Sequence, residues 1–149
     1  MVTYISNSPE DTLALGESWG RAASPGLVIG LSGDLGSGKT QLVKGVALGL
    51  GIQARVTSPT FALLHRYDGG RLSLFHLDLY RLAGPEDVHA AGLEEYLFRP
   101  AGVCVVEWIE RWLPESESGV LTTPLRFKHV RIQTVGERTR RIDYDSFGT

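Results

Sequence analysis

Between Gly33 and Thr40 the chain reads GDLGSGKT. Gly33, Gly38, Lys39 and Thr40 satisfy the spacing G-x-x-x-x-G-K-[ST], and the chemistry behind that spacing is anion binding. Glycines and small residues let successive backbone N–H groups turn inward around a phosphate, and a helix starting there adds its positive end. Lys39 then reaches the β and γ phosphates, and the Thr40 hydroxyl is placed to ligate Mg2+. A chance glycine turn is the bland alternative. The apolar run LVIGLSG before the motif and the segment QLVKGVALGLG after it favour a nucleotide, because the motif has meaning only between a strand and a helix.

Hydrolysis or transfer needs a carboxylate on a neighbouring strand as well. Glu107 ends the run VCVVE, four apolar residues and an acid, and Asp78 lies in HLDLYR with His76 two residues before it on the same face. Either acid could instead be an ordinary strand-end polar residue. The loop RVTSPTF at 55–61 carries hydroxyls beside Pro59, which suits a nucleotide-sensing segment or a plain surface turn. Arg111, four residues after Glu107, is either a phosphate or base contact or half of an exposed ion pair. His76 reads better as a satisfied sheet histidine than as a proton shuttle. Trp108 is open to a partner-facing or a buried role.

The elements that must position these groups follow from pattern. VTYIS at 2–6 is a short strand. Ser8, Pro9 and Asp11 form a helix start, with Leu15, Trp19 and Ala22 expected on one face. LVIGLSG at 27–33 reads as a strand buried on both faces. The helix after Thr40 places Leu42, Val43, Val46, Ala47 and Leu50 on one stripe. Two strands joined by a tight turn at Asp68–Gly70 follow, then one helical stretch from Pro85 through EDVHAAGLEEYL. GVCVVEW at 102–108 is a second buried strand, IERWL a short helical turn stopped by Pro114, and 114–124 a loop. The segment from 124 on reads as two strands around Gly136, with a bulge near Lys128 where the apolar phase shifts. The expected architecture is a single α/β domain over 1–149, a mixed β-sheet flanked by helices.

At 149 residues the chain has room for one core. Fifteen basic residues against 17 acidic leave a net charge of −2, so no global field draws it to nucleic acid or to an anionic membrane. Charge is nonetheless divided. Residues 126–141 hold six Lys or Arg against Glu137 alone, while 86–117 hold eight acids against Arg99 and Arg111. That polarity fits RNA-facing and protein-facing surfaces or a merely solvated hairpin. Cys104, the one cysteine, lies in an apolar run, and neither a leader nor a run of bilayer length is visible, so a cytoplasmic protein with no membrane span is expected.

Taken together, PEDTLALG, GDLGSGKT, VTSPTF, HLDLYRL, EDVHAAGLEEYL, VVEW and GERTRRI, in this order, resemble the TsaE (YjeE) family of bacterial P-loop ATPases required for tRNA threonylcarbamoyladenosine (t6A) modification. The resemblance covers most of the chain. It implies a P-loop NTPase-like fold and Mg-ATP held by Gly36, Ser37, Gly38, Lys39, Thr40 and Gln41. It further implies Mg2+ at Thr40 and Glu107, and Asp78 near the γ-phosphate. Pro9 would line the adenine side, with Arg111 and Arg138 as outlying nucleotide contacts. As partners it implies the TsaD and TsaB subunits, with tRNA met only indirectly through that complex. Lys39, Asp78 and Glu107 are then the catalytic candidates, and either acid is available to orient the attacking water.

Three other readings share the loop. A small-molecule kinase needs an acceptor pocket and an arginine-bearing lid, and no arginine cluster lies between the loop helix and VCVVEW. A guanine-nucleotide switch needs an N-K-x-D segment, which the chain lacks. A non-catalytic nucleotide-sensing module differs from an ATPase only in what loss of Glu107 does.

Overall fold

Leu27–Ser32, strand β2, is buried along its whole length, as a strand covered on both faces must be. Around it the computed structural model describes residues 2–34, 36–59, 61–112 and 126–144. In chain order the other elements are β1 (Val2–Ser6), α1 (Pro9–Ala22), α2 (Lys39–Gly49), β3 (Leu64–Tyr67), β4 (Leu74–Asp78), α3 (Pro85–Ala90), α4 (Glu94–Phe98), β5 (Val103–Glu107), a 3-10 turn (Ile109–Arg111), β6 (Arg126–Thr134) and β7 (Arg140–Tyr144). All seven strands form one sheet in the order β1-β7-β6-β2-β5-β4-β3. Its centre, β6-β2-β5-β4, is parallel, and the flanking β3, β7 and β1 run antiparallel to their neighbours. The mixed α/β sheet is the one expected.

Side-chain alternation divides the core. Ile29, Leu31, Leu74, Val103 and Val105 pack with the buried stripe of α2, Leu42, Val43, Val46, Ala47 and Leu50. Val28, Phe75, Leu77, Cys104 and Val106 pack on the opposite face with Val88 of α3, Leu97 of α4 and Leu93 between them.

Helix α1 starts as read. Pro9 occupies its first turn, and Ser8 Oγ accepts from the Asp11 amide at 3.1 Å. Its buried face is rotated from the expected one. Thr12, Gly16, Trp19 and Gly20 are buried, Leu15 is half-buried and Ala22 is exposed. The cause is the approach of α2: a Cβ on Gly16 would stand 3.1 Å from the Gly45 Cα, and one on Gly20 3.0 Å from the Gly49 Cα. Two glycine pairs let the helix backbones touch, and a search for large apolar residues cannot register that.

Three other expectations change. The stretch from Pro85 is two short helices, because Gly92 takes φ +73 and ends the first. Between β3 and β4, residues 68–73 form a six-residue connection whose Arg71 amide donates to the Leu50 carbonyl at 2.7 Å, so the turn is anchored to the end of α2 and is not a tight hairpin. No bulge interrupts β6, which pairs with β2 in unbroken register from Leu27↔Arg126 to Ser32↔Arg131. Lys128, Val130 and Ile132 all point inward. The apolar phase only seemed to shift because Lys128 is a core position, its ammonium 4.5 Å from the Trp19 ring centre and 4.7 Å from that of Tyr144. The loop expected at 114–124, with Pro114 as the stop, lies outside the described residues.

Candidate functional site

The first side of the site comes from the β2–α2 junction. Gly36 and Gly38 take φ +77 and +103, conformations that L side chains rarely adopt, and α2 begins at Lys39. Lys39 Nζ donates to the Gly33 and Asp34 carbonyls at 2.6 and 2.8 Å and lies 4.4 Å from the centre of the Trp108 ring. Burial lowers the Lys39 pKa from its ordinary value, and the charges of Glu107, Glu110, Asp78 and Asp34 oppose that shift.

The second side is built by strand register. Asp78 and Glu107 are directly paired at the ends of β4 and β5. By the two-residue period His76 and Asp78 face α2 along with Glu107. The Thr40 hydroxyl donates to Glu107 Oε2 at 3.1 Å and Oε1 at 3.3 Å. His76 Nε2 lies 2.6 Å from Glu107 Oε2, both residues buried. A carboxylate only accepts, so Nε2 carries the hydrogen, and Nδ1 is buried without a partner. Asp78 accepts from Ser58 Oγ at 3.2 Å and from the Tyr80 amide at 2.9 Å. Ser58 thus brings the 55–59 stretch of that loop to the site instead of leaving it a detached surface turn.

Trp108 closes the third side. It has φ +61, an outlier for a bulky residue, which turns the chain sharply after Glu107. Its half-buried ring packs on Tyr80 at 4.9 Å, so it is neither fully buried nor freely exposed. Backbone strain of this kind concentrates at functional sites.

These groups line a cavity of about 310 Å3, formed by Gly36, Gly38, Lys39, Thr40, Gln41, Ser58, Asp78, Tyr80, Glu107 and Trp108. A cavity of about 220 Å3 continues it past Gly38 and Gln41, bounded by Pro9, Thr12, Ser37, Arg138 and Arg140 among others. Gln41 Nε2 donates to the Pro9 carbonyl at 3.1 Å and ties the two helix starts together. A larger groove of about 530 Å3 beside Leu48 and Ile52 has one charged residue, Lys44, and no convergent polar groups. The chemistry lies in the two smaller cavities.

Of the residues singled out in the sequence, Pro9, Gly36, Ser37, Gly38, Lys39, Thr40, Gln41, Asp78, Glu107 and Arg138 all line one cavity or the other. Arg138 lies within 3.8 Å of Glu10 at the rim. Arg111 lines neither cavity. The chain past Trp108 continues as a 3-10 turn, and the Arg111 guanidinium sits 5.6 Å from the Trp108 ring centre instead of facing Glu107. The basic tail does not form one open face, because Lys128 is buried, Arg140 turns onto the phosphate loop, and Arg141 pairs with Asp143 at 3.1 Å. Sequence reasoning missed Arg140 and undervalued His76. For His76 the signal was available, since its spacing from Asp78 puts both on the Glu107 side.

The family model described as threonylcarbamoyl adenosine biosynthesis protein TsaE matches residues 6–142. The chain is similar to the tRNA threonylcarbamoyladenosine biosynthesis protein TsaE of Treponema pallidum, at 48% identity over 82% of this chain and 89% of the relative. The protein of the same name from Bacillus subtilis is 39% identical over 95% of this chain and 83% of its own. Among solved structures, the Bacillus subtilis YdiB crystal structure superposes with a TM-score of 0.76 at 35% identity, covering 99% of this chain and 86% of that one.

Proposed function

The chain belongs to the TsaE family, and from that premise we propose that it is an Mg2+-dependent ATPase subunit in the synthesis of tRNA threonylcarbamoyladenosine. It would act alongside TsaD and TsaB subunits, with the transfer to tRNA carried by the TsaD partner. The observation that carries the ATPase assignment is the convergence of Lys39, Thr40 and the paired Asp78 and Glu107 on one cavity at the phosphate loop.

Each residue has a part. The loop amides and the start of α2 receive the phosphates. Lys39 exchanges the Gly33 and Asp34 carbonyls for phosphate oxygens and offsets charge that grows as the γ-phosphoryl leaves. Thr40 and Glu107 offer hard oxygen donors, which suit Mg2+, an ion that keeps several waters and takes few protein ligands. When bound, Mg2+ supplies positive charge at the β and γ phosphates. Glu107 takes the metal role with Thr40, and its register partner Asp78, held in place by Ser58 and the Tyr80 amide, orients the attacking water. Pro9 and Arg138 flank the nucleoside end. Among the described residues no helix is long and apolar enough to cross a membrane.

Calorimetry with Mg-ATP tests the binding and phosphate release tests the turnover. Lys39→Ala should lose nucleotide binding. Glu107→Ala should keep nucleotide and lose Mg2+-dependent hydrolysis, and Asp78→Asn should lower turnover sharply, the residual rate keeping the wild-type Mg2+ dependence. Added TsaD and TsaB subunits should stimulate hydrolysis. Full activity in both Lys39→Ala and Glu107→Ala would reject the assignment.

A further inference from the structure

The phosphate loop is rich in glycine and hence poor in intrinsic shape, so something outside it must hold its peptide planes. We propose that Arg140, on β7, is the positioning residue that does so. Its backbone is fixed on both sides, in register with Ser6 of β1 and Thr134 of β6. From that anchor Nε donates to the Ser37 carbonyl at 3.0 Å and Nη2 approaches the Gly36 carbonyl at 3.4 Å. Nη1 faces the carbonyls of Gly136 at 3.1 Å, Glu137 at 3.4 Å and Thr139 at 3.1 Å, all in the β6–β7 turn. One planar fork therefore clamps two segments about a hundred residues apart.

The consequence for the site follows from peptide geometry. The Ser37 carbonyl shares its peptide with the Gly38 amide, and in a trans peptide the two point in opposite directions. Holding that carbonyl outward on Arg140 aims the Gly38 N–H into the loop, where a phosphate would sit. The Gly36 carbonyl is similarly paired with the Ser37 amide, which donates to the Asp34 carbonyl at 3.1 Å and closes the loop's inner turn. The other arm of the clamp fixes the turn that carries Arg138 to the rim of the nucleoside-side cavity. Arg140 thus sets the phosphate cradle and the far wall together, without needing to touch the γ-phosphate. This role rests on the nucleotide-site assignment above.

Hydrogen exchange on the nucleotide-free chain tests the clamp directly. Arg140→Ala should speed exchange of the Ser37 amide, which is hydrogen-bonded to the Asp34 carbonyl, by about tenfold or more, with β2 and β6 amides unchanged. Loss of a charged hydrogen-bonding group should also weaken Mg-ATP and Mg-tripolyphosphate by a common factor of about ten to a hundred. Tripolyphosphate has no nucleoside, so its loss locates the effect at the phosphates, and the unchanged β2 and β6 exchange separates that effect from a general loss of stability. Arg140→Lys keeps the charge and stem without the fork and should fall between, and it serves if the alanine variant fails to fold. Arg141→Ala, on the same strand but turned away, should match the wild type. A Ser37 amide that exchanges at the wild-type rate in Arg140→Lys and Arg140→Ala overturns the proposal, as does a loosened loop with unaltered affinity for both ligands. Should the wild type bind no Mg-ATP, the nucleotide assignment falls, while the exchange comparison still decides the clamp.

Discussion

Replacing Gly45 with alanine should destabilise the protein although alanine is the better helix former. A Cβ at position 45 would stand 2.9 Å from both the Gly16 Cα and the Glu17 amide nitrogen, and closer still to the Leu13 carbonyl oxygen. Carbon contacts relax at about 3.5–4.0 Å, and the obstacles are backbone atoms with no rotamer to change, so α1 and α2 must part by about 1 Å. Overpacking costs about 1–3 kcal/mol, and against immovable backbone atoms it falls at the upper end, about 2–3 kcal/mol, while glycine to alanine in a helix interior returns about 1 kcal/mol. The net loss is about 1–2 kcal/mol, out of a total that for a domain is about 5–15 kcal/mol, and a fall in Tm of roughly 3–8 °C. Urea and thermal denaturation of the nucleotide-free protein measure it, with Lys44→Ala, an exposed change one residue away, expected within about 0.5 kcal/mol of wild type. Mg-ATP affinity should drop as well, because the Gln41–Pro9 hydrogen bond spans the two helix starts. If Gly45→Ala matches the wild type, or gains the 1 kcal/mol or so that propensity alone predicts, the glycine-mediated contact is refuted.

Removing the imidazole with His76→Phe should leave Glu107 without its buried donor and raise the Mg2+ concentration for half-maximal hydrolysis about 10–100-fold, the usual effect of losing a partner behind a metal ligand; an unmoved Mg2+ titration would count against it. In the free protein the stability of wild type relative to Lys39→Met should rise with pH. Burial lowers the Lys39 pKa below its ordinary 10.5, so the protonated lysine penalises the folded state below its folded pKa, and the penalty fades as pH rises towards 10.5. Denaturation at pH 7 and pH 10 should therefore show wild type gaining on Lys39→Met as pH rises, and a loss would reverse the sign of the argument. Burial pushes the Cys104 thiol pKa up, so a thiol reagent should modify Cys104 no faster than the chain unfolds, readable by mass spectrometry at increasing urea.

Much of the site was legible because its signals are local. The loop motif fixes Lys39 and Thr40 within eight residues, and Glu107 and Asp78 each announce themselves as an acid ending an apolar strand. Even the pairing of those two acids required only that β4 and β5 be parallel neighbours in the register observed. Elsewhere a reading that equates apolar with inside goes astray wherever polar or small residues occupy core positions. Lys128 mimicked a bulge because its ammonium is accommodated between Trp19 and Tyr144, and the α1 face was misplaced because glycines are its contact residues. Gly92 was hidden for a different reason: glycine within a helical pattern is tolerated or terminates it according to tertiary context.

Arg140 was illegible for a reason that bears on how the site works. In the sequence it is one of six basic residues in a tail and carries no motif, and its meaning depends on the order β7-β6-β2, which sets the end of β7 beside the loop that leaves β2. A loop able to wrap a phosphate must hold residues such as Gly36 and Gly38 at positive φ, and such residues lose the most conformational freedom when ordered. That entropic cost cannot be met within the loop, whose residues are small. It has to be offset by contacts from elements already ordered by the sheet: Arg140 from β7, Thr40–Glu107 from β5, and Lys39 folded back onto the Gly33 and Asp34 carbonyls. The lysine contact must be given up when phosphate enters, whereas the arginine contact faces away from the phosphate and can persist. The loop therefore keeps its shape at the moment its own lysine lets go, and loosening at 36–38 should follow loss of Arg140 much more than loss of Lys39 in the nucleotide-free protein.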